Sequence, residues 1–276
     1  MRYYFFCAIK FLVLSFPRKF CYFCAKIIAY FYGLAAKSDR EAIIYNLSPF
    51  VPKDKLKEVT LKVFTNFSYY LVDFFRYDKL TKKFIDDHVT IVGKDNLDKA
   101  LEDGRGVILL TAHLGNYELG GAATSLIGYN MNVVALPHKD KRTNRLFDRQ
   151  RERAGLKVIP TGAGIKACFK VLEKNNILAM LGDRSFGGKV IEVDILGQKA
   201  LLPRGFAFFS KQTKAVIVPA FFVRDKNKYK YNLFFEKPIY PDNVGEDFMV
   251  GFYARILGKY IKEYPDQWYT YVKYWQ

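Results

Sequence analysis

The chain has 276 residues, enough for one large domain or two small ones and enough to bury a sizeable core. Half of the residues are hydrophobic and 26% are charged, which excludes a wholly disordered protein. The 44 Lys and Arg residues exceed the 27 Asp and Glu residues, and the formal net charge is +17. A chain this basic should attract a polyanion: nucleic acid, an anionic membrane surface or an acidic protein.

The amino-terminal stretch favours the membrane. Residues 1–36 contain no acidic side chain, and the first carboxylate is that of Asp39. Lys26 interrupts the most apolar part, 20–36, which would form a helix about 25 Å long, short of the ~30 Å hydrocarbon core. Pro17 should separate two helices. We expect residues 1–36 to form a helical segment that lies in the interface or acts as a short anchor. A buried helix pair is the alternative.

Residues 37–276 are interpreted as a single α/β domain. Helical periodicity dominates residues 39–87, and short apolar strands then alternate with helices. The predicted strands are 89–93, 107–112, 131–136, 158–160, 177–181 and 215–223, with an antiparallel edge strand at 228–236. The predicted helices are 118–127, 141–154, 164–174, 205–211 and 245–264. This alternation predicts a mixed, largely parallel sheet flanked by helices.

The cysteines indicate neither a metal site nor a disulfide framework. Cys21 and Cys24 form a lone CxxC pair inside the apolar segment, and Cys7 and Cys168 lie far apart in the chain. A zinc site would need a second pair or nearby histidines. We therefore expect small apolar thiols in a reducing compartment and no metal or other cofactor.

A candidate site follows the strand 107–112. His113 lies at the carboxyl end of this strand and Glu118 in the first turn of the next helix, where ligands of α/β sheets gather. A histidine can remove a proton near neutral pH, and a carboxylate can fix its tautomer. No GxSxG motif and no Cys beside a His is present, which favours activation of an external hydroxyl. The spacing alone also allows a structural histidine.

The segment TAHLGNYELGG, residues 111–121, resembles the His-x4-Asp/Glu motif of bacterial lysophospholipid-type acyltransferases. It is most similar to the late acyltransferases of lipid A biosynthesis, the lauroyl and myristoyl transferases. The likeness continues through four later blocks, residues 181–188, 202–225, 236–241 and 264–275. The resemblance implies a glycerol-3-phosphate acyltransferase-like fold and the transfer of a fatty acyl group from an acyl thioester to a lipid hydroxyl. His113 would be the general base and Glu118 its orienting carboxylate.

Four residues are candidates for substrate binding, two of them by the resemblance. Arg145 occupies the place of a family arginine and would hold a phosphate or an oxyanion, although a solvated basic helix face is the alternative. Asp183 matches an aspartate of a family block and would orient Arg145 or the loop, or it is a cap or turn aspartate. Arg204 begins a helix whose amino terminus can meet an anion, or it is a simple cap. Asn116, inside the motif, is expected to contact substrate.

These features predict an enzyme on the cytoplasmic face of the inner membrane. Its donor would be acyl carrier protein or coenzyme A, and its acceptor an anionic glycolipid or lysolipid. Another acceptor, such as a lysophospholipid, a phosphatidylinositol mannoside or an ornithine-type lipid, fits the same chemistry. A basic nucleic-acid-binding protein explains the charge but leaves His113 and Glu118 without a role, and no helix-turn-helix, zinc or RNP pattern is evident. A catalytically silent scaffold is the third alternative.

Overall fold

The amino-terminal quarter of the chain is helical. A computed structural model of the protein describes residues 2–162, 164–185, 187–225 and 229–276. Its first helices are α1 (Arg2–Ser15), α2 (Arg18–Ala35), α3 (Lys37–Leu47), α4 (Leu56–Phe75) and α5 (Lys82–His88), with a 3₁₀ turn at Tyr77–Lys79. Pro17 separates α1 from α2 as predicted, because proline has no backbone N–H to continue a helix.

Strands and helices alternate through the rest of the chain. The strands are β1 (Val89–Val92), β2 (Val107–Thr111), β3 (Met131–Ala135), β4 (Lys157–Pro160), β5 (Ile177–Leu181), β6 (Val190–Ile195), β7 (Gln198–Pro203), β8 (Val216–Arg224) and β9 (Tyr231–Phe235). The helices are α6 (Lys94–Glu102), α7 (Tyr117–Leu126), α8 (Lys141–Arg153), α9 (Ile165–Glu173), α10 (Gly205–Thr213) and α11 (Glu246–Glu263), followed by a 3₁₀ turn at Pro265–Gln267.

Within the described residues, seven strands form one mixed sheet in the order β1-β9-β8-β2-β5-β3-β4. All neighbours are parallel except β8 and β9, which confirms the predicted largely parallel sheet. The predicted edge strand is β9, but it is internal because β1 pairs with its outer side. The predicted start of that strand, residue 228, lies outside the described residues. Helix α6 and the β6–β7 hairpin were not predicted.

The sheet separates two apolar layers. Successive side chains of β2 alternate between them, so that Val107 and Leu109 pack on one face and Ile108 and Leu110 on the other. All four are buried, which explains why the sequence of this strand shows no polar alternation. Burial of such side chains stabilises the fold by about 1.5–3 kcal/mol each. Strand β2 therefore has a fixed position in the middle of the sheet, between β5 and β8.

Helix α2 packs against α4, and its buried residues belong to the core of the protein. A Cβ at Gly33 would lie 2.9 Å from the Phe64 ring, so the close approach of the two helices requires glycine there. The Arg18 guanidinium bonds to Asp73 of α4 at 2.9 Å. The division of the chain into a membrane-associating segment, residues 1–36, and an α/β domain, residues 37–276, stays a prediction.

The other side of α1 and α2 is apolar and exposed. Phe5, Phe11, Phe23, Ile28 and Phe31 are each 62–70% exposed. Among the helices that the structure describes, none is both long enough and apolar enough to cross a bilayer. The two helices thus carry a buried face toward α4 and an exposed apolar face, which we call the outer face of α1 and α2.

Candidate active site

His113 lies in the turn between β2 and α7 and is held by Asp183. Its Nδ1 is 2.9 Å from Asp183 Oδ1, and its backbone N–H donates to Asp183 Oδ2 at 3.1 Å. The two contacts to one carboxylate fix both the main chain and the ring. Asp183 follows β5, which pairs with β2 in parallel, so the carboxyl ends of the two strands meet at one edge of the sheet.

Asp183 is fully buried. Burial raises the pKa of this carboxyl group, but His113 and Arg184 outweigh that effect, and the pKa of Asp183 lies below its ordinary value. The ionised carboxylate accepts the Nδ1–H of the ring, and the basic lone pair of the neutral imidazole is then on Nε2. This tautomer suits a general base.

The backbone of the turn is held by the carboxy-terminal segment. Gly115 N–H donates to Gln267 O at 2.8 Å, and Tyr269 N–H donates to His113 O at 2.9 Å. Gly115 has φ +66°, and a Cβ there would lie 2.1 Å from Phe222 O, so this position requires glycine. The segment 264–275, one of the blocks that carry the resemblance, thus supports the main chain on which His113 lies.

Glu118 contacts Arg151 and not His113, its predicted partner. Its carboxylate accepts hydrogen bonds from Arg151 Nε at 3.1 and 3.2 Å. Burial lowers the pKa of Arg151, but the charge of Glu118 more than offsets this, and the guanidinium pKa is raised. The carboxylate at Nδ1 of His113 is therefore that of Asp183. The prediction that Glu118 orients the imidazole ring is wrong, because Glu118 is bonded to Arg151. Glu118 and His113 do line the same cavity.

Arg145 and Arg151 share helix α8 but differ in surroundings. The Arg145 side chain is 58% exposed and bonds to Glu152 at 3.0 Å, whereas Arg151 lines the cavity. Six residues of helix turn the two side chains roughly 120° apart, so only one can face the cavity. Arg145 is absent from the described lining, which favours the solvated face over the predicted contact with substrate. Asp183 correspondingly holds His113 and not Arg145.

Asn116 is buried and caps α7. Its Oδ1 accepts from Leu119 N–H at 3.1 Å, and its Nδ2 donates to Asp73 Oδ2 at 3.1 Å. Asp73 also accepts a hydrogen bond from Arg18 Nε at 3.0 Å. The predicted contact of Asn116 with substrate is replaced by a structural one, since Asn116 is not in the described lining of the cavity. A polar chain from α2 through Asp73 instead positions the turn that carries His113.

Arg204 lies where it was predicted, at the N-cap of α10, and it lines the cavity. Its guanidinium NH2 group donates to Glu246 Oε1 at 3.0 Å, and this pairing raises the pKa of Arg204. Arg184 lines the same cavity and donates to Thr270 Oγ1 at 2.9 Å. Lys189 is also in the lining. Together with Arg184 it gives the part of the cavity near Arg204 a positive charge.

The cavity has a volume of about 1090 Å³ and a mostly apolar lining. His113, Glu118 and Arg151 are polar residues of the lining near the carboxyl ends of the strands. Apolar residues continue the lining along the sheet beneath α7: Leu109, Met131, Val133, Leu156, Ala179 and Phe222. The arrangement offers a base with a fixed tautomer, cationic groups for an anion and an apolar space for a chain.

The four cysteines are free thiols, and Cys168 is buried. Burial raises the pKa of the Cys168 thiol, so it is held in its neutral form. Throughout the ranges that the structure describes, no three His, Cys, Asp or Glu side chains are grouped as the ligands of a metal ion would be.

Comparison with known proteins identifies the family. The family model described as bacterial lipid A biosynthesis acyltransferase matches residues 1–276. A phosphatidylinositol mannoside acyltransferase of Mycobacterium tuberculosis is 29% identical over 47% of this chain and 42% of its own length. Its counterpart from Mycolicibacterium smegmatis is 24% identical, over 61% of this chain and 57% of the relative. A lipid A biosynthesis acyltransferase of Haemophilus influenzae is 28% identical, over 51% and 45%.

The matched regions thus span about half the length of these curated relatives. The family model, in contrast, covers the whole of this chain, including α1, α2 and residues 264–275. The chain belongs to the bacterial lipid A biosynthesis acyltransferase family.

Proposed function

We propose that this protein is a membrane-associated O-acyltransferase that moves a fatty acyl group from an acyl thioester to a hydroxyl of a lipid A-type glycolipid precursor. The observation that carries the proposal is the hydrogen bond of 2.9 Å between His113 and Asp183 in the wall of a largely apolar cavity of about 1090 Å³. A base in such a wall can meet an alcohol and an acyl chain at the same place.

In the proposed reaction, Nε2 of His113 takes the proton of the acceptor hydroxyl as its oxygen attacks the thioester carbonyl carbon. The new C–O bond forms, and the tetrahedral intermediate carries its charge on the former carbonyl oxygen. Collapse of the intermediate breaks the C–S bond, and His113 returns the proton to the leaving thiolate. Asp183 steadies the imidazolium throughout, because its buried carboxylate keeps a depressed pKa and stays ionised.

The charged groups of the cavity have separate roles in this proposal. Arg184, Lys189 and Arg204 attract an anionic headgroup or the phosphate of a carrier arm. Glu118 holds Arg151 in the lining, where the guanidinium is available to an oxyanion or a phosphate. The acidic acyl carrier protein is the donor that the net charge of +17 favours, and coenzyme A is the alternative donor.

The membrane part of the proposal rests on the outer face of α1 and α2. Phe5, Phe11, Phe23, Ile28 and Phe31 are exposed there, and the first 36 residues are free of acidic side chains. Aromatic and basic residues together are typical of helices that lie in an anionic interface. We place the protein on the cytoplasmic face of the inner membrane, where acyl thioesters are available.

A second acceptor is favoured by a specific observation. Two of the relatives are named phosphatidylinositol mannoside acyltransferases, so a mannosylated phospholipid is a candidate acceptor alongside a lipid A precursor. Both acceptors offer a sugar hydroxyl near a phosphate. The chemistry assigned to His113 is the same for both, and only the product separates them.

The direct test is transfer by the purified full chain. Acyl carrier protein and coenzyme A thioesters are each offered with a lipid A precursor, a phosphatidylinositol mannoside or a lysophospholipid, and the products are analysed by mass spectrometry. We expect one acyl ester, formed on one acceptor class. Absence of product with every pair would contradict the proposal. Lipid analysis of a deletion strain then identifies the natural acceptor and chain from the acyl group that is lost.

Fractionation separates the enzyme from the nucleic-acid-binding alternative. We expect the chain in the membrane fraction, with release by high salt and detergent because both charge and apolar contact hold it. Recovery with nucleoids or ribosomes would favour the nucleic-acid alternative instead.

A further inference from the structure

Two adjacent glycines of α7 stand in contrasting surroundings. A Cβ at Gly120 would lie 2.7 Å from Phe222 Cβ, so helix packing on β8 requires glycine there. A Cβ at Gly121 would meet only Leu156, at 3.8 and 3.9 Å, which is ordinary contact. Gly121 is inside a helix, where glycine is less stable than alanine. The fold therefore gains nothing from the missing side chain at Gly121.

Gly121 and Leu156 both line the cavity. Helix α7 returns along the sheet after β2 and descends about 1.5 Å per residue, which puts Gly121 about 6 Å below Tyr117. The lining reaches Met131, which pairs with Ile177 at the level of Val107. That level is four strand residues below the end of β2, or about 13 Å. Gly121 therefore lies roughly halfway down the apolar part of the cavity.

We infer that Gly121 is a specificity-determining residue: its missing side chain keeps the apolar part of the cavity open between α7 and Leu156, and this sets the longest acyl chain that fits. The inference rests on the proposed function and deepens it. An extended alkyl chain advances about 1.3 Å per carbon, since C–C bonds of about 1.5 Å zigzag. The 13 Å depth then takes about ten carbons, and a side chain halfway down would leave space for about five in a straight line.

The size of the expected effect follows from close packing. A leucine side chain at Gly121 brings four carbon atoms into the space that a chain would occupy, so the longest accepted chain shortens by about four carbons. An alanine shortens it by about one. Each methylene that loses its burial weakens binding about fourfold, so Gly121→Leu, which displaces about four of them, should weaken binding of a long chain about 250-fold and leave binding of a short one unchanged.

A matched control is available in α11. A Cβ at Gly251 meets nothing within 4 Å, and Gly251 also lies inside a helix but outside the described lining of the cavity. Gly251→Ala and Gly251→Leu bring the same gain in helix propensity as the changes at Gly121. Any difference between the two sites then reports on the cavity.

The experiment measures chain-length dependence of binding. Saturated fatty acids from octanoate to stearate compete with a fluorescent fatty-acid probe on the purified full chain, with melting temperatures measured in parallel. We expect Gly121→Ala to melt no lower than the wild type and to lose affinity only for the longest chains. Gly121→Leu should show the larger shift, and the Gly251 variants the wild-type profile.

Wild-type chain-length dependence in both Gly121 variants would overturn the inference, as would a wild type whose affinity is independent of chain length. Acyl transfer is then measured separately with the same variants. If the Gly121 variants bind only shorter chains and the wild type transfers no acyl group, the proposed function is contradicted and the role of Gly121 in chain length still stands. If Gly121→Leu does not fold, Gly121→Ala alone decides.

Discussion

Asp183 and Glu118 are two carboxylates near the turn that carries His113, and they contact different partners. Asp183, which is 70 residues from His113 in sequence, is fully buried and holds the imidazole. Glu118, only five residues away, holds the Arg151 guanidinium. The comparison teaches that adjacency in a parallel sheet selects the partner of the histidine, because β2 and β5 end at the same edge. Glu118, the nearer of the two in sequence, instead holds Arg151 in the wall of the cavity.

The largest effect is expected at His113. His113→Ala should lower kcat for acyl transfer by about 10²–10⁴-fold, because a general base contributes that much. The melting temperature should stay close to that of the wild type. Initial rates with the best donor and acceptor give the measurement. A variant that keeps near-normal turnover would show that another group removes the proton.

The next largest effect is expected at Asp183. Asp183→Asn removes the charge that steadies the imidazolium and allows the ring to change tautomer, which should lower kcat about 10²-fold, as misplacement of a catalytic group does. The exposed Asp95→Asn is the matched control for loss of one negative charge. Equal rates for the two variants would remove Asp183 from the mechanism. KM should change little, since Asp183 contacts His113 and the interior.

Glu118 should affect stability as well as rate. Glu118→Ala leaves the half-buried Arg151 guanidinium with only the longer contact to Asp148, at 3.5 Å, among its described carboxylate partners, which should cost about 1–3 kcal/mol of unfolding free energy. Loss of one positioned cation should slow transfer about tenfold, equivalent to ~1.4 kcal/mol. Glu118→Gln should have smaller effects, because an acceptor oxygen remains. Denaturant titration and initial rates provide the measurements, and a loss as large as that of His113→Ala would give Glu118 the role now assigned to Asp183.

Acid should lower the free energy of unfolding in part through Asp183, the carboxylate that holds His113. The pKa of Asp183 is lower in the folded protein than the value of about 3.9 for an unfolded chain. Its contribution to stability is therefore complete above that value and is lost as the pH falls through the folded pKa. We expect Asp183→Asn to have a shallower loss of unfolding free energy below about pH 4 than the wild type. Identical slopes would mean that Asp183 titrates alike in both states.

Arg145 should give the smallest effect. It is exposed and paired with Glu152, so Arg145→Ala should change stability by less than about 0.5 kcal/mol and leave kcat and KM nearly unchanged. Arg151→Ala, on the cavity side of the same helix, is the matched comparison and should behave like Glu118→Ala. A strong loss at Arg145 with little at Arg151 would restore the role that the sequence motif suggested.

The sequence predicted what depends on local pattern. The uninterrupted apolar runs of β2 and β5, the break at Pro17 and the position of His113 at a strand end all follow from neighbouring residues. The β6–β7 hairpin was missed because its turn is Leu196-Gly197, both with positive φ, and not the usual Asn-Gly or Asp-Gly.

The partners of the site residues depend on strand order, which the local pattern does not reveal. Asp183 reaches His113 only because β5 pairs with β2, and nothing in the spacing of 70 residues indicates that. The phase of α8 on the sheet likewise decides between Arg145 and Arg151. A helical-wheel comparison places the two arginines on different faces but does not identify the one that faces inward.

The most direct test of the central claim is a double-mutant cycle on the transfer rate of His113→Ala, Asp183→Asn and the two combined, in the same assay and with folding checked for each. If Asp183 acts through the imidazole, the double variant should be no slower than His113→Ala alone, because groups that work as a unit are not additive. Multiplied losses in the double variant would contradict the account, since Asp183 would then act independently of His113.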